Sequence, residues 1–267
     1  MKIPFTKAHG AKNDFLFTWR QDAPDPASSD HAALARAICD RHSGIGADGW
    51  MLVDPPCDAD AEGTIQLYNS DGSSAEMSGN GTRCAAAFLI RHGHAAGVVR
   101  VRTGAGVKTL RLLKRRALEF EFEMNMGRPE LTAASFPLEL PWGPRDVTLL
   151  WVGNPQCAVP VEHFDFDWRA LGAEIERHPH FPNRTNVSFV KVVDEHTIDV
   201  RFWERGAGET MSSGTGSTGA AAMAVARGWV ESPVAVLTPA GPLSVRRDGA
   251  FFLTGPAILV AEGVFWV

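Results

Sequence analysis

The sequence predicts an α+β protein made of two pseudo-symmetric halves, and three observations carry that reading. A Gly-rich turn, Met77-Ser78-Gly79-Asn80-Gly81, opens into the apolar run Ala85-Ala86-Ala87-Phe88-Leu89-Ile90 and closes at Gly93, the pattern of a helix. The pattern returns 135 residues later, where Met211-Ser212-Ser213-Gly214-Thr215-Gly216 leads into Ala220-Ala221-Ala222 and closes at Gly228. The same displacement takes Asn69 to Glu204, Thr103 to Thr238 and Gly106 to Gly241. Most of the remaining segments alternate, or run apolar, over strand lengths.

In order along the chain, Ile3–Ala8 and Asp14–Thr18 read as strands joined by His9-Gly10-Ala11-Lys12-Asn13. His31–Cys39 is apolar at helical spacing. Gly44–Gly49 is a loop into a short buried strand, Trp50–Val53, and Gly44-x-Gly46 lacks the preceding strand and third glycine of a dinucleotide fingerprint. Thr64–Asn69 is a strand, and Ser70–Ser73 turns the chain toward the first glycine turn. Val98–Arg102 and Val107–Leu113 form a hairpin. Leu118–Met124 alternates, so one face is buried and the other wet. Pro129–Pro144 is proline-spaced and is expected to be an irregular passage. In the second half, Thr148–Val152 is a strand ending in the turn Gly153-Asn154-Pro155-Gln156. Trp168–Arg177 is helical, Val187–Val193 and Ile198–Trp203 are strands, and three short strands follow the second glycine turn. The N-terminal half is placed at 1–122, with a last strand at about 257–267 expected to return to it, and the C-terminal half at 123–267.

Composition narrows the function. The chain has 267 residues, a net charge of −5 and no basic block beyond Lys114-Arg115-Arg116, a solvated strand end, so nucleic acid is not an expected partner. No apolar span of membrane length and no N-terminal signal is read, which points to the cytoplasm and away from a membrane. Cys39, Cys57, Cys84 and Cys157 are scattered without C-x-x-C spacing, so neither disulfides nor zinc is expected. His178-Pro179-His180 has no partner at ligand spacing and reads as a helix end, so no metal is expected.

The chemistry gathers at the two glycine turns. A helix N-terminus presents amides outside the helical ladder and the positive end of the helix dipole, which suits a carboxylate. Two such turns related by a pseudo-twofold would face one another across the gap between the halves. Ser78 and Ser213 would then flank the carbon beside a bound carboxylate, one removing a proton and the other delivering one. Serine before a helix is also a common N-cap, and the caps can serve both ends.

These motifs resemble the diaminopimelate epimerase family over nearly the whole chain. The matching runs are Lys12-Asn13-Asp14-Phe15, Gly44-Ile45-Gly46-Ala47-Asp48, Tyr68-Asn69-Ser70-Asp71-Gly72-Ser73 and Ser78-Gly79-Asn80-Gly81-x-Arg83-Cys84. Those of the second half are Gly153-Asn154-Pro155, Phe181-Pro182-x-x-Thr185-Asn186-Val187, Trp203–Thr210 and Ser213-Gly214-Thr215-Gly216. The resemblance implies that each half is a strand-rich sheet wrapped around a central helix, with the site in the cleft between them. It implies cofactor-free epimerisation of an amino acid, diaminopimelate, and a homodimer is the expected assembly. By the same resemblance, Asn13, Asn69, Asn154, Asn186, Glu204 and Arg205 would hold the substrate. The amides at Gly79-Asn80 and Gly214-Thr215 would hold the carboxylate at the reacting carbon. A guanidinium reads a carboxylate bidentately and Glu204 can accept an ammonium, so the residue types suit these roles.

The sequence departs from that family at its most reactive positions. The family's acid and base are cysteines, and here both are serine, Ser78 and Ser213. A thiol near pKa 8.5 is readily lowered at a helix N-terminus, whereas a hydroxyl needs a neighbouring base. Gln156 stands where the family usually has a histidine that tunes the catalytic pair, and Gly49 where a glutamine often lines the pocket. Glu204 is the other tuning candidate. Loss of both thiols and the histidine together is a coherent change of site. It fits a natural lineage better than deliberate replacement of cysteines. Two other readings stand beside the epimerase: an amino-acid binder without turnover, and a racemase or isomerase of another amino acid in the superfamily.

Overall fold

The computed structural model describes residues 2–27, 29–56, 59–141 and 143–267. The chain divides into two compact units, one of Met1–Met124 with Gly255–Val267 and one of Asn125–Thr254.

In the first unit the strands are β1 (Lys2–Gly10), β2 (Asn13–Trp19), β3 (Gly49–Asp54), β4 (Gly63–Asn69), β5 (Ser74–Ala75), β6 (Val98–Thr103), β7 (Gly106–Arg116) and β8 (Glu119–Gly127), the last running on into the second unit. Helix α1 (His31–Cys39) joins β2 to β3, and α2 (Gly79–Arg91) joins β5 to β6. The second unit repeats this order. After β9 (Glu130–Leu138) come β10 (Arg145–Trp151), β11 (Pro155–Pro160), α3 (Trp168–Glu176), β12 (Asn186–Asp194) and β13 (Thr197–Glu204). Then follow β14 (Gly208–Thr210), α4 (Gly214–Ala226), β15 (Val234–Thr238), β16 (Gly241–Asp248) and β17 (Ala250–Trp266).

The pairing repeats as well. Each helical crossover leaves its flanking strands parallel, β2 with β3 and β11 with β12, and the central helices do the same for β4 with β6 and β13 with β15. Most other ladders are antiparallel, the hairpins β6–β7 and β15–β16 among them. Their turns match to the atom: Thr103 Oγ1 donates to the Gly106 carbonyl at 2.8 Å and Thr238 Oγ1 to the Gly241 carbonyl at 2.6 Å.

Each central helix is buried nearly all round, α2 from Gly79 to Ile90 and α4 from Gly214 to Ala224. Its small Gly and Ala faces let the helix lie close inside its sheet, α2 against β1, β2, β6 and β7, and α4 against β10 to β13, β15 and β16. At Gly216 a Cβ would come within 2.9 Å of the Phe202 ring, and at Gly81 within 2.0 Å of Met51 Cε. Core residues from the sheets, including Phe17, Trp50, Phe122, Phe189 and Phe202, fill the remaining space.

Two expectations are corrected. Within Pro129–Pro144, Glu130–Leu138 is a strand, paired antiparallel with β10. Proline disfavours a ladder only where an amide must be donated. Here Pro137 lies opposite Asp146 in unbroken register between Leu138 and Phe136, and the register shifts only further on, between Val147 and Leu149 and between Leu149 and Leu150. Trp142, in the same stretch, lies outside the described residues. Three strands follow the second glycine turn, as expected, but the last of them, β17, is 17 residues long where a short strand was expected. Its turn-type residues do not break it, because Gly263 is a close approach: a Cβ there would lie 2.8 Å from the Phe5 ring. β17 pairs with β16 through Ala250–Thr254, then with β1 from Ile258 to Trp266 across a bulge at Val260.

Candidate active site

Each glycine turn is built the same way. Ser78 lies in extended backbone (φ −124, ψ 123) and its Oγ accepts from the Gly81 amide at 3.1 Å. Ser213 (φ −132, ψ 126) accepts from the Gly216 amide at 3.1 Å. Both serines are therefore N-caps, and the amides at Gly79-Asn80 and Gly214-Thr215 lie ahead of the helical ladder.

The two serines differ in what their hydroxyl protons meet. Ser213 Oγ donates to Glu204 Oε1 at 2.7 Å. Glu204 ends β13, nine residues before Ser213, and the two-stranded turn through β14 brings it back to the helix start. The residue 135 positions earlier, Asn69, ends β4, and its Nδ2 donates instead to Ser73 Oγ at 3.0 Å. The neighbouring base that a serine needs is thus present in the second unit and takes the form of a carboxylate.

Around Ser78, Asn80 is 1% exposed and donates to Asn13 Oδ1 at 3.3 Å. Asn13 donates to Asp48 Oδ2 at 2.7 Å. Asp48 in turn shares Arg41 with Asp14, at 2.7 Å to each carboxylate, and Lys7 Nζ lies 3.0 Å from Asp14. Burial pushes the Asp14 carboxyl up, but the hydrogen bonds from Arg41 and Lys7 outweigh it and hold Asp14 below the usual carboxylate range. Asp48 is pushed up by burial and by the Asp14 charge. Asn13 and Asn80 are in this way locked in orientation by a charged network that the sequence did not single out. Its members lie 7 to 67 residues apart and carry no periodic signal.

In the second unit, Gln156 Nε2 donates to Asn154 Oδ1 at 2.6 Å and to Thr215 Oγ1 at 3.2 Å, and Asn154 Nδ2 reaches Thr215 Oγ1 at 3.4 Å. Gln156 therefore steadies the first turn of α4 and makes no bond to Ser213. Asn186 donates to the Pro155 carbonyl at 3.0 Å and accepts from the Arg205 amide at 3.0 Å. The Arg205 guanidinium reaches the Asn183 carbonyl at 3.3 Å.

Glu176, also not singled out, anchors this turn. It is 2% exposed, accepts from the Gly206 amide at 3.1 Å and pairs with Arg184 at 3.1 Å. Its place at the end of an amphipathic helix was the available signal. At Gly49, a Cβ would lie 2.8 Å from the Tyr68 carbonyl oxygen, so packing leaves no room there for a longer side chain.

The three described thiols do not serve this site. Cys39, Cys84 and Cys157 are free and buried, and Cys57 lies outside the described residues. Burial pushes Cys39 and Cys84 up to about 12 and raises Cys157 as well, so none is a thiolate at neutral pH. Among the described residues no group of three or more His, Cys, Asp or Glu is arranged to hold a metal, and no helix is long and apolar enough to cross a membrane.

A helix wrapped by strands, occurring twice, is a fold this chain shares with solved proteins that include a hydroxyproline epimerase and a phenazine biosynthesis protein. A hydroxyproline epimerase from Agrobacterium vitis, solved with bound trans-4-hydroxy-L-proline, has a TM-score of 0.75 at 16% identity, over 98% of this chain and 92% of that one. A phenazine biosynthesis protein from Bacillus anthracis has a TM-score of 0.71 at 14% identity over the full length of both. Sequence relationship is narrower. The diaminopimelate epimerase family profile matches residues 5–132 and 148–260. The diaminopimelate epimerase of Pseudomonas fluorescens (strain Pf0-1) is 36% identical over 98% of this chain and 99% of its own. That of Pelotomaculum thermopropionicum is 38% identical over 98% of each. The chain belongs to the diaminopimelate epimerase family.

Proposed function

We propose that the chain is a cofactor-independent epimerase that converts L,L-diaminopimelate to the meso form, with Ser78 and Ser213 as its two proton-transfer residues. The observation that carries this reading is the Ser213–Glu204 contact at 2.7 Å, on a serine that caps one of two matched helix starts. As Ser213 Oγ takes the α-proton, its own proton passes to Glu204 Oε1, so no free alkoxide forms. Ser78 then gives its hydroxyl proton to the opposite face of the carbon and regains one from solvent, while Glu204 releases its proton to solvent. The transient negative charge on Ser78 is favoured by the Gly81 amide and the α2 dipole. The carboxylate of the reacting centre is bound by the amides at Gly79-Asn80 and Gly214-Thr215. Asn13, Asn69, Asn154, Asn186, Glu204 and Arg205 hold the rest of the substrate, and Gln156 tunes the α4 turn. Cytoplasmic placement and a homodimer complete the proposal, the latter checked by light scattering.

A second reading, an amino-acid binder without turnover, is favoured by one observation. Among the described residues no carboxylate or imidazole is bonded to the Ser78 hydroxyl. Incubation with L,L-diaminopimelate and chiral separation of the product decides between them. Accumulation of the meso form is the expected result, and tight binding without any product would establish the binder.

A further inference from the structure

Arg83 sits one turn inside α2 and is fully buried, at 0% exposure. Its Nη2 donates to Asn80 Oδ1 at 2.5 Å and its Nε to the Pro256 carbonyl at 3.1 Å, both neutral acceptors. Nη1 has no partner among the described residues, and no ion pair involves this guanidinium there. Burial lowers its pKa to about 10, which still leaves it charged at neutral pH. A buried cation without an anion is unfavourable, and folded proteins normally pair it.

The site is shaped to keep that charge in place. Helical side chains lean toward the helix N-terminus, so Arg83 reaches back to the first turn and holds Asn80 there. Gly10 makes the space: a Cβ on it would lie 3.0 Å from the Asn80 carbonyl oxygen, 3.2 Å from that of Pro256 and 3.3 Å from Arg83 Nη2. The corresponding position in α4 is Thr218, whose Oγ1 merely donates to the Gly214 carbonyl at 2.8 Å. One turn therefore carries a buried cation, while the serine of the other faces the Glu204 carboxylate.

We propose that Arg83 is a positioning residue whose missing counter-ion is the α-carboxylate of a bound amino acid, held at the first turn of α2 in preference to that of α4. The inference rests on the proposed function and specifies the polarity of binding at that site. Arg83 acts through Asn80 and the field at the turn, and carries out no proton transfer.

The test is calorimetric titration of the full chain with L,L-diaminopimelate, alongside thermal unfolding without ligand, for wild type, Arg83→Met and Arg83→Lys. Arg83→Met should weaken binding roughly 10- to 100-fold. Its ligand-free melting temperature should be held or raised, because a charge without a partner has been removed. A lower melting temperature with unchanged affinity would show that Arg83 is only structural and overturn the proposal. If Arg83→Met does not fold, Arg83→Lys decides. A buried lysine loses its proton more easily, so affinity of the variant should fall between about pH 7 and 9 while that of wild type holds. Parallel profiles would overturn the proposal. Wild-type chain that binds another α-amino acid in place of diaminopimelate sinks the substrate reading, and the same comparison is then made with that ligand. Wild-type chain that binds no α-amino acid sinks both.

Discussion

Ser213 and Ser78 occupy equivalent backbone positions, yet among the described residues only Ser213 has a carboxylate on its hydroxyl. A thiolate at each helix start is accessible near neutral pH where an alkoxide is not. Ser78→Cys with Ser213→Cys is therefore expected to raise epimerase activity, with either single change doing less and Gln156→His the natural third change. Activity that stays flat in the double variant, with substrate binding intact, would make the serines structural caps alone. The Asp14–Arg41–Asp48 network gives a second expectation. The lowered Asp14 pKa contributes stability that is present above the ordinary carboxylate range and is lost as pH falls through its folded value. The raised Asp48 works in the opposite sense, losing its contribution as pH rises through its folded value. Arg41 lowers both groups, so Arg41→Met should cost most stability at neutral pH, and the gap to wild type should close on acidification. Denaturant unfolding from pH 7 to 3 measures this, and a gap independent of pH would count against it. At this scale the motif residues were legible, because glycine, serine and asparagine at a turn announce themselves. The partners that orient them were not, since Asp48 meets Asn13 and Arg83 meets Pro256 only through the fold.

Among the elements, α3 shows how packing reaches the site. Gly172 lies against Trp203, where a Cβ would come within 2.8 Å of Trp203 Cβ. Gly172→Ala should improve helix propensity by about 1 kcal/mol but overpack that contact by about 1–3 kcal/mol. A net loss of stability in urea unfolding is expected, together with slower turnover, since Trp203 precedes Glu204. A stabilised variant of unchanged activity would show that α3 can shift freely. The strands of Glu119–Gly127 and Asn186–Asp194 were readable from alternation or apolar content. Glu130–Leu138 was not, because Pro129 before it and Pro137 within it argue against a strand and its pairing with β10 is decided by tertiary contact. Pro155–Pro160 was hidden in the same way by the prolines at its two ends.

For the whole molecule, the 135-residue displacement was the most informative feature of the sequence, since it carries turn, helix and hairpin together. It says nothing of the course of the last strand, which pairs first with β16 and then with β1. Removing residues 257–267 should therefore expose β1, at the opposite end of the chain. Hydrogen exchange should show lost protection over Lys2–His9, with little change at Thr197–Glu204. Uniform loss across both regions would mean that the two units do not open separately. The chemistry at the two glycine turns is reached most directly by α-proton exchange in deuterated buffer. With L,L-diaminopimelate, wild type should incorporate one deuterium at the inverted centre, and Glu204→Gln should slow this by about 10²–10⁴-fold. Equal exchange in wild type and Glu204→Gln, or none in wild type with ligand bound, would contradict the account.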